Sequence, residues 1–317
     1  KETPVHLMNG GITGVTYSLA QSSVGLKVRS LDLSVDEVNQ CVNKDKLAQT
    51  VIGAKPSASG EVVIVRDLET YRQNFRKIAL PAKETFSSDG VYVILGGTGT
   101  VGSIITRFMI RNHNAKIVWL GRKDKDAKEV KEKQRSCAFC GNEPAYVQAD
   151  VTDYDQVKTA ISQIRNTYGK IRGAIFSGVV FDIHNEIATT TIEQFERILE
   201  VKTNGSMNFY NVLEQDDLDF LCYFSSGQSF DFSPAGNLCA YASGITFTDT
   251  LVRYLQKKAK FPVGCINWGF WKSSVSEAFG KNLDNCIEDE QGFEMFSYAA
   301  AVMKQQSASQ IVCMDLE

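Results

Sequence analysis

The sequence lacks an excess of charge, a long apolar run and a cluster of metal-binding side chains. Its 34 Lys and Arg stand against 37 Asp and Glu, so we expect no nucleic-acid partner. No apolar run approaches the roughly 20 residues that cross a bilayer, and no signal peptide opens the chain, so we expect no membrane partner. The three histidines are scattered, and the CxxC from Cys137 to Cys140 has no second ligand pair. We therefore predict no metal site and place this CxxC in a loop.

Disulfides are not expected, although the chain has eight cysteines. Several of them, including Cys222, Cys265 and Cys313, lie inside apolar runs. Buried thiols that stay reduced are typical of cytoplasmic proteins, and we place this chain in the cytoplasm. The length of 317 residues suggests about two domains. Because Lys1 starts in the middle of structured-looking sequence, we interpret the chain as a segment of something longer.

Two regions of the chain differ in their pattern. Residues 1–82 mix short helix-like and strand-like stretches and hold no polar constellation that suggests chemistry. Residues 83–89 are polar, as expected of a linker. Residues 90–317 alternate apolar strands with helices, which predicts an α/β fold with a doubly wound parallel sheet. Since its strands are almost continuously apolar, we expect this sheet to be buried on both faces.

The period of the apolar residues predicts the individual elements. In residues 1–82 we expect helices Ile12–Ser22 and Val35–Gln49 and strands Gly25–Leu31, Glu61–Arg66 and Tyr71–Ile78. In residues 90–317 we expect strands Val91–Leu95, Ala115–Leu120, Ala145–Ala149, Ala174–Val180, Phe220–Phe224, Val263–Asn267 and Gln310–Met314. The helices expected there are Val101–Arg111, Tyr154–Thr167, Ile192–Leu213 and Ala242–Lys258. Thr152 or Asp153 and Thr191 are predicted N-caps.

A glycine-rich turn joins the first strand of residues 90–317 to the next helix. Its residues are Gly96, Gly97, Thr98, Gly99, Thr100, Val101 and Gly102. Glycines let the backbone turn sharply and approach a pyrophosphate, which then lies at the positive N-terminus of the helix. Because a strand precedes the turn and a helix follows it, we predict a dinucleotide site rather than a plain glycine-rich loop.

The ends of the next two strands indicate which dinucleotide is bound. Arg122 follows the second strand, where an acidic residue would favour NAD. A guanidinium instead suits a 2′-phosphate, so the predicted cofactor is NADPH; the alternative is a solvated basic loop. Asp150 and Val151 lie at the end of the third strand, where we expect the adenine.

A serine, a tyrosine and a lysine complete the predicted site. Ser225 and Ser226 end a strand, Tyr241 opens the next long helix, and Lys202 lies in the preceding helix. Beside a nicotinamide, such a set reduces a carbonyl group. The tyrosine donates a proton, the lysine lowers the pKa of the tyrosine, and the serine bonds the carbonyl oxygen.

Six segments together form a recognisable pattern. They are residues 96–102, Leu120-Gly121-Arg122, Val201-Lys202, Phe224-Ser225-Ser226, Tyr241-Ala242 and residues 266–271, which read Ile-Asn-Trp-Gly-Phe-Trp. Over residues 90–317 the chain resembles the ketoreductase domains of modular polyketide synthases, a branch of the short-chain dehydrogenase/reductase superfamily. Most of that superfamily has its lysine four residues after the tyrosine, where this chain has Ile245, whereas Lys202 matches the lysine of the polyketide subgroup. Residues 241–249 look most like ketoreductases of bacterial assembly lines with a trans-acting acyltransferase.

The resemblance implies an NADPH-dependent ketoreductase. Tyr241 would donate the proton, Lys202 would tune it, and Ser226 would bond the carbonyl oxygen. Ser225 would not, because adjacent strand residues point to opposite faces. Ser177 and Gly178, after the fourth strand, join the expected cofactor-binding set.

The implied substrate is a 3-oxoacyl chain, or in some relatives a 2-oxoacyl chain, held as a thioester on the phosphopantetheine arm of an acyl carrier protein. That carrier and the neighbouring synthase domains are the expected partners. Residues 1–82 would be a partial structural subdomain, a degenerate Rossmann-like unit that braces the catalytic subdomain. Lys272–Gly292 would form a lid over the substrate, and its acidic residues are interpreted as a solvated face: Glu277, Asp284, Glu288, Asp289 and Glu290.

Two departures from the family pattern support an alternative. Thr100 replaces the middle glycine of the usual phosphate turn and adds a Cβ where the pyrophosphate approaches. Phe176 stands where relatives often have histidine. The alternative is therefore a catalytically inactive, ketoreductase-like scaffold domain of the synthase.

Overall fold

The computed structural model describes most of the chain. The described residues are 6–22, 25–40, 44–82, 86–181, 186–230, 238–279, 286–305 and 308–314. They form two separate sheets, one of three strands and one of seven. Residues 83–85 of the predicted linker lie outside the described residues.

The first region contains the small sheet and three helices. Its elements in chain order are α1 (Gly10–Gln21), β1 (Ser30–Leu33), α2 (Val35–Gln40), α3 (Lys44–Gly53), β2 (Val62–Arg66) and β3 (Glu69–Tyr71). β1 pairs with β2 in parallel, and β3 pairs with β2 in antiparallel. Ser34 and Glu37 cap α2 reciprocally, since each side chain bonds the backbone N–H of the other.

The seven-stranded sheet begins at β4. Its strands are β4 (Val91–Leu95), β5 (Lys116–Gly121), β6 (Ala145–Gln148), β7 (Ile171–Phe176), β8 (Phe220–Ser226), β9 (Val263–Trp268) and β10 (Gln310–Cys313). The spatial order is β10-β9-β8-β7-β4-β5-β6, and every pair is parallel. From β4 the chain builds one side of the sheet and then crosses to β7 to build the other. In such a sheet a ligand binds outside the carboxyl ends of the strands where the order reverses, here between β4 and β7.

Helices cover both faces of this sheet. They are α4 (Thr100–His113), α5 (Lys128–Ala138), α6 (Tyr154–Tyr168), α7 (Ile192–Lys202), α8 (Asn204–Leu213), α9 (Cys239–Lys258), α10 (Lys272–Phe279) and α11 (Asp289–Lys304). The predicted caps are confirmed: Asp153 accepts backbone N–H bonds at the start of α6, and Thr191 forms a capping box with Gln194 at the start of α7.

The core has two layers, one on each face of the seven-stranded sheet. Every residue of β4 is buried. Val93 and Leu95 pack with residues of α6, α8 and α9 on one face, whereas Tyr92 and Ile94 pack with residues of α4 and α11 on the other. The doubly wound α/β fold predicted from the alternation of elements is therefore confirmed.

Helix α1 packs closely against α9. A Cβ built on Gly14 would lie 2.2 Å from the carbonyl carbon of Ala242, and one on Gly10 would lie 2.3 Å from the Thr250 hydroxyl oxygen. The backbone N–H of Gly14 also donates to the hydroxyl of Thr246 at 3.1 Å. The two helices approach so closely because these glycines have no side chain.

Several element boundaries differ from the predictions. The strand expected at Ala174–Val180 is β7, which begins at Ile171 and ends at Phe176. The helix expected at Ile192–Leu213 is broken at Thr203, whose φ of −91° and ψ of −83° are not helical. Helix α5 was not predicted. Because its last turn contains Cys137 and Ala138, the prediction that the CxxC lies in a loop is wrong for these two residues.

Boundaries in the first region also differ. The strand expected at Gly25–Leu31 is β1, which covers only Ser30–Leu33. The helix expected at Val35–Gln49 is described as α2 and α3, with residues 41–43 outside the described residues. The strand expected at Tyr71–Ile78 is confined to β3, which ends at Tyr71. In the part of the chain that the structure describes, no helix is long and apolar enough to span a membrane, and no group of His, Cys, Asp and Glu side chains has the arrangement of a metal site.

Candidate active site

The glycine-rich turn connects β4 to α4 and owes its shape to the absence of three side chains. Gly96 has a φ of +78°, which L side chains rarely adopt. A Cβ on Gly97 would lie 2.0 Å from Cδ1 of the buried Trp119, and one on Gly102 would lie 2.6 Å from the Gly96 carbonyl oxygen. The turn therefore lies directly on β5 and against the first turn of α4.

The turn leads directly into the N-terminus of α4. Gly99 is the N-cap residue and supplies no capping side chain. Thr100, which stands where the family pattern has a glycine, is the first helical residue. Because its φ is not positive, a threonine there causes no backbone strain. Thr98 is half-buried at the surface of the turn, and Val101 packs against the core. This geometry fits a pyrophosphate, which binds to free N–H groups at a helix N-terminus.

Arg122 lies just after β5 and is exposed. Among the described residues, no carboxylate pairs with its guanidinium, whereas the adjacent Lys123 pairs with Glu129 at 2.6 Å. Gln148 donates to the backbone carbonyl of Arg122 at 3.2 Å, which ties the loop to the end of β6. Arg122 is therefore available to an anionic ligand at the edge of the sheet.

Asp150 and Val151 follow β6 and make contacts within the protein. The Asp150 carboxylate accepts from the backbone N–H of Thr152 at 2.9 Å and from its hydroxyl at 2.8 Å. Asn208 of α8 donates to the Val151 carbonyl at 3.0 Å. One carboxylate oxygen of Asp150 thus shapes the turn into α6, a structural role that the sequence did not reveal.

Ser177 and Gly178 meet the glycine-rich turn directly. The N–H of Ser177 donates to the Leu95 carbonyl at 2.9 Å. A Cβ on Gly96 would lie 2.9 Å from the Gly178 nitrogen. The loops after β4 and β7 therefore pack together at the point where the strand order reverses.

The side chains of Ser226 and Tyr241 lie close to each other. Ser226 is the last residue of β8, and Tyr241 lies in the first turn of α9. The Ser226 hydroxyl also donates to the side-chain oxygen of Gln228. Ser225 faces the other way, where its Oγ accepts from Asn267 at 3.0 Å. The structure thus brings Ser226 to Tyr241 and leaves Ser225 apart.

Burial raises the pKa of Tyr241 above its ordinary value. Ser226 acts in the opposite direction and lowers that pKa, whereas the negative charge of Asp249 adds to the increase. The phenol is therefore protonated at neutral pH and able to donate. The ring of Phe181 meets the Tyr241 ring edge-on with a centroid distance of 5.1 Å, so the tyrosine has an apolar neighbour on one side.

Lys202 ends α7 and is buried beneath α9. A Cβ on Gly244 would lie 2.8 Å from Cβ of Lys202, so the lysine stem fits against α9 one turn after Tyr241. Its Nζ donates to the Phe224 carbonyl at 2.9 Å and lies 5.2 Å from the centre of the Phe176 ring. Burial lowers the pKa of Lys202 to about 8, while Asp249 opposes that shift.

The sequence led us to expect that Lys202 lowers the pKa of Tyr241. In this structure the groups that shift the pKa of Tyr241 are its own burial, Ser226 and Asp249. The physical reason is the direction of Lys202, whose ammonium points to the carbonyl of Phe224 at the end of β8.

Three polar residues at the site were missed by the sequence reasoning. Asp249 of α9 accepts from Asn267 of β9 and from Gln310 of β10, both at 3.0 Å. The amide of Asn267 also lies 3.0 Å from the Ser226 carbonyl oxygen. The available signal was a charged residue in a helical stretch of apolar residues and threonines, eight residues after Tyr241 and so on a similar helical face.

The expected lid is held to α4 by ion pairs. Asp289 lies 3.6 Å from Arg107, Glu290 lies 3.6 Å from Arg111, and Glu288 pairs with Lys272 at 2.5 Å. The interpretation of these three carboxylates as a merely solvated face is therefore incomplete. Asp284 lies outside the described residues, as does the side chain of Glu277.

Comparison with known proteins now adds to this geometry. The family model described as KR domain matches residues 90–273. The chain belongs to the ketoreductase (KR) domain family. KR domains are oxidoreductases of the Rossmann type that use nicotinamide cofactors. The site is therefore that of an oxidoreductase with a nicotinamide cofactor.

The relatives are much longer proteins. Over 203 residues the chain is 33% identical to "Polyketide synthase ThaG" of Burkholderia thailandensis, a match that covers 63% of this chain and 4% of that protein. Over 193 residues it is 33% identical to "Polyketide synthase PksN" of Bacillus subtilis, covering 61% of this chain and 3% of that protein. The chain thus spans a small fraction of the curated relatives it matches.

Solved structures show the same fold. An N-terminal ketoreductase from the macrolactin assembly line matches with a TM-score of 0.78 at 20% identity, covering 98% of this chain and 61% of that one. A ketoreductase domain from the bacillaene assembly line matches with a TM-score of 0.78 at 18% identity, covering 98% of this chain and 76% of that one. At these identities the likeness establishes the architecture alone.

Proposed function

We propose that this KR domain uses NADPH to reduce a 3-oxoacyl thioester, and in some cases a 2-oxoacyl thioester, carried on an acyl carrier protein during polyketide biosynthesis. The observation that carries the proposal is the proximity of Tyr241, in the first turn of α9, to Ser226 at the carboxyl end of β8. The glycine-rich turn after β4 opens at the same edge, with only β7 between β4 and β8. The proposed acid Tyr241, the proposed hydrogen-bond donor Ser226 and the glycine-rich turn therefore lie at the same edge of the sheet.

In this proposal Tyr241 gives its phenolic proton to the oxygen of the ketone. Ser226 donates a hydrogen bond to that oxygen as negative charge develops on it, which requires its hydroxyl to leave Gln228. The nicotinamide, when bound, supplies the hydride. Because Tyr241 is protonated at neutral pH, it is already in the form that the reduction consumes.

Lys202 contributes a positive charge beneath the reacting groups. We propose that this charge stabilises the phenolate that remains on Tyr241 after proton transfer. The support is the close contact of the lysine stem with Gly244, one turn after Tyr241 on α9. A cation near a phenol favours its ionised form, so this role requires the Lys202 ammonium to turn from the Phe224 carbonyl towards Tyr241.

The glycine-rich turn and Arg122 hold the cofactor in this proposal. Residues 96–102 would receive the pyrophosphate at the N-terminus of α4, with Ser177 and Gly178 against the same turn. Val151 and Asp150 would lie near the adenine. The Arg122 guanidinium would bond the 2′-phosphate, because no carboxylate among the described residues neutralises it.

The proposed partners are an acyl carrier protein and neighbouring synthase domains, and the proposed location is the cytoplasm. The support for the first two is that the relatives are polyketide synthases many times longer than this chain. A division into a structural unit at 1–82, a linker at 83–89 and a catalytic unit at 90–317 is part of the same proposal.

Replacing the proton donor tests the proposal. We expect Tyr241→Phe to lower the turnover of a 3-oxobutanoyl thioester of N-acetylcysteamine by about 10²-fold or more, because only the phenolic proton is removed. NADPH binding, followed by fluorescence titration, should stay within about twofold of the wild type. Tyr254→Phe on the same helix is the matched control and should keep full turnover.

Each other outcome has a definite meaning. If Tyr241→Phe keeps most of the turnover, then Tyr241 is not the acid. If the wild type binds no NADPH at millimolar concentration, the glycine-rich turn with Thr100 does not accept the cofactor, and a scaffold role replaces the enzymatic one.

Arg122 determines the choice between the two nicotinamide cofactors. We expect Arg122→Ala to weaken NADPH binding about tenfold or more and to leave NADH binding nearly unchanged, since NADH has no 2′-phosphate. The control is Lys123→Ala, whose charge is already paired with Glu129. The measurement is the dissociation constant of each cofactor, and equal losses for both would contradict the assignment.

A further inference from the structure

The interior of the described chain contains one buried cation and one buried anion. Of the Asp, Glu, Lys and Arg residues that the structure describes, only Lys202 and Asp249 are buried, each with 3% of its surface exposed. A charge in a protein interior is costly unless another charge or several hydrogen bonds compensate it. The two residues lie on α7 and α9, which pack against each other at Gly244.

Hydrogen-bond donors surround the side chain of Asp249. Its Oδ2 accepts from Asn267 and Gln310 at 3.0 Å, and its Oδ1 accepts from the thiol of Cys265 at 3.5 Å. All three contacts are donors, which suits a carboxylate and not a neutral carboxyl group. All three donors come from the neighbouring strands β9 and β10, so the carboxylate is held by the sheet beneath it.

Few neutral groups around Lys202 stabilise the positive charge of its ammonium. Its ammonium has the Phe224 carbonyl at 2.9 Å and the face of the Phe176 ring. The titratable groups that face it are Asp249 from α9 and Cys265 from β9. Burial raises the pKa of the Cys265 thiol well above its usual range, so Asp249 is the negative charge among them.

We propose that Asp249 is a positioning residue for the reduction, the fixed interior countercharge that keeps Lys202 protonated beneath Tyr241. The hydrogen bonds from Asn267 and Gln310 hold the carboxylate in place. The same Asn267 amide bonds the Ser226 carbonyl, so one network connects Lys202, the end of β8 and α9. This inference deepens the proposed function and rests on it for the role of Tyr241.

A double-mutant cycle measured by urea unfolding tests the pairing without any need for turnover. We expect Asp249→Asn to raise the unfolding equilibrium constant about tenfold, a coupling of the size that neighbouring charges show. In a Lys202→Met background the same substitution should leave the constant unchanged or lower it, because no buried cation remains to be compensated. An equal increase in both backgrounds would show that Asp249 only anchors the strands, and would overturn the proposal.

Arg253 provides the matched control, because it is the next cation along α9. It is exposed, and its Nη2 donates to the Thr250 hydroxyl at 3.1 Å. In an Arg253→Met background, Asp249→Asn should keep its full effect on the unfolding constant. If the effect disappears there instead, Arg253 is the countercharge and the proposal is wrong.

The pH dependence of the reduction tests the consequence for the chemistry. With the N-acetylcysteamine thioester, the wild-type rate should fall as the pH rises above about 8, because Lys202 then loses its proton. Asp249→Asn should move this fall to lower pH, whereas a purely structural loss would lower the rate at every pH without moving the fall. If Asp249→Asn does not fold, Asp249→Ser also removes the carboxylate and should move the fall in the same direction. An unmoved fall in a folded variant overturns the proposal, whereas a wild type without turnover contradicts only the proposed function and leaves the unfolding cycle to decide the pairing.

Discussion

The two sheets of this KR domain bury their strands to different degrees. In the seven-stranded sheet every residue of β4, β8 and β9 is buried. In the three-stranded sheet β2 has one buried residue, Val65, and β3 is exposed throughout. The reason is coverage, since the large sheet has helices on both faces and most of the small sheet borders solvent.

The first region nevertheless meets the second at one helix that matters. Gly10 and Gly14 of α1 contact α9, the helix that carries Tyr241 and Asp249. The first region therefore contributes to the structure of the domain less by its own core than by its contact with α9. Three predictions follow this comparison from the largest expected effect to the smallest.

Truncating matched isoleucines in the two sheets should separate their stabilities. Ile94 of β4 is fully buried, whereas Ile64 of β2 is half-buried. We expect Ile94→Ala to lower the free energy of unfolding by about 4 kcal/mol and Ile64→Ala by about 1 kcal/mol, because a deleted side chain costs more where a cavity remains. Urea unfolding measures both values, and similar losses would mean that the small sheet has a core of its own.

Adding one methyl group to glycines of α1 and α3 should test the contact between the regions. A Cβ on Gly14 would overlap the Ala242 carbonyl, but nothing lies within 4 Å of a Cβ on Gly53. We expect Gly14→Ala to cost about 3 kcal/mol, because α1 must move away from α9. Gly53→Ala should be neutral or should stabilise α3 by up to about 1 kcal/mol.

The same pair of variants can be examined at the site. If α1 supports α9, Gly14→Ala lowers the turnover of the thioester in the fraction that remains folded, whereas Gly53→Ala does not. Unchanged stability and turnover in Gly14→Ala would mean that α1 does not brace the catalytic helix.

Ion pairs should show the smallest difference between the regions. Arg165 bonds both oxygens of Asp216, at 3.0 and 2.6 Å, and also the Val212 carbonyl. Arg72 of the first region meets Glu61 through one contact at 2.6 Å, with 67% of its side chain exposed. We expect Arg165→Met to cost about 1 kcal/mol and Arg72→Met less than about 0.5 kcal/mol, because exposed pairs are screened by water. Thermal unfolding at low and high salt measures the difference, and equal losses would contradict it.

Local patterns determined a large part of the fold. The near-continuous apolar runs predicted all seven strands of the large sheet, because burial on both faces requires apolar residues at every position. Asp153 and Thr191 were predictable as caps, since their side chains act on N–H groups two or three residues away. The glycine-rich turn was equally readable, because its chemistry lies in consecutive residues.

Tertiary structure decided what depends on residues far apart in the chain. Thr203 breaks the long helix, yet Asn204 and Gly205 directly after it are again helical and open α8. Gly97 is required by the ring of Trp119, which the turn's own sequence does not show. Likewise, Asp249 meets Gln310 only because β10 lies at the edge of the sheet beside β9.

The sequence by itself determined the fold class and the candidate acid, serine and lysine, since each belongs to a local motif. Only the packing of α7 on α9 decided which charges share the interior, because a buried charge is compensated by whatever the fold brings to it.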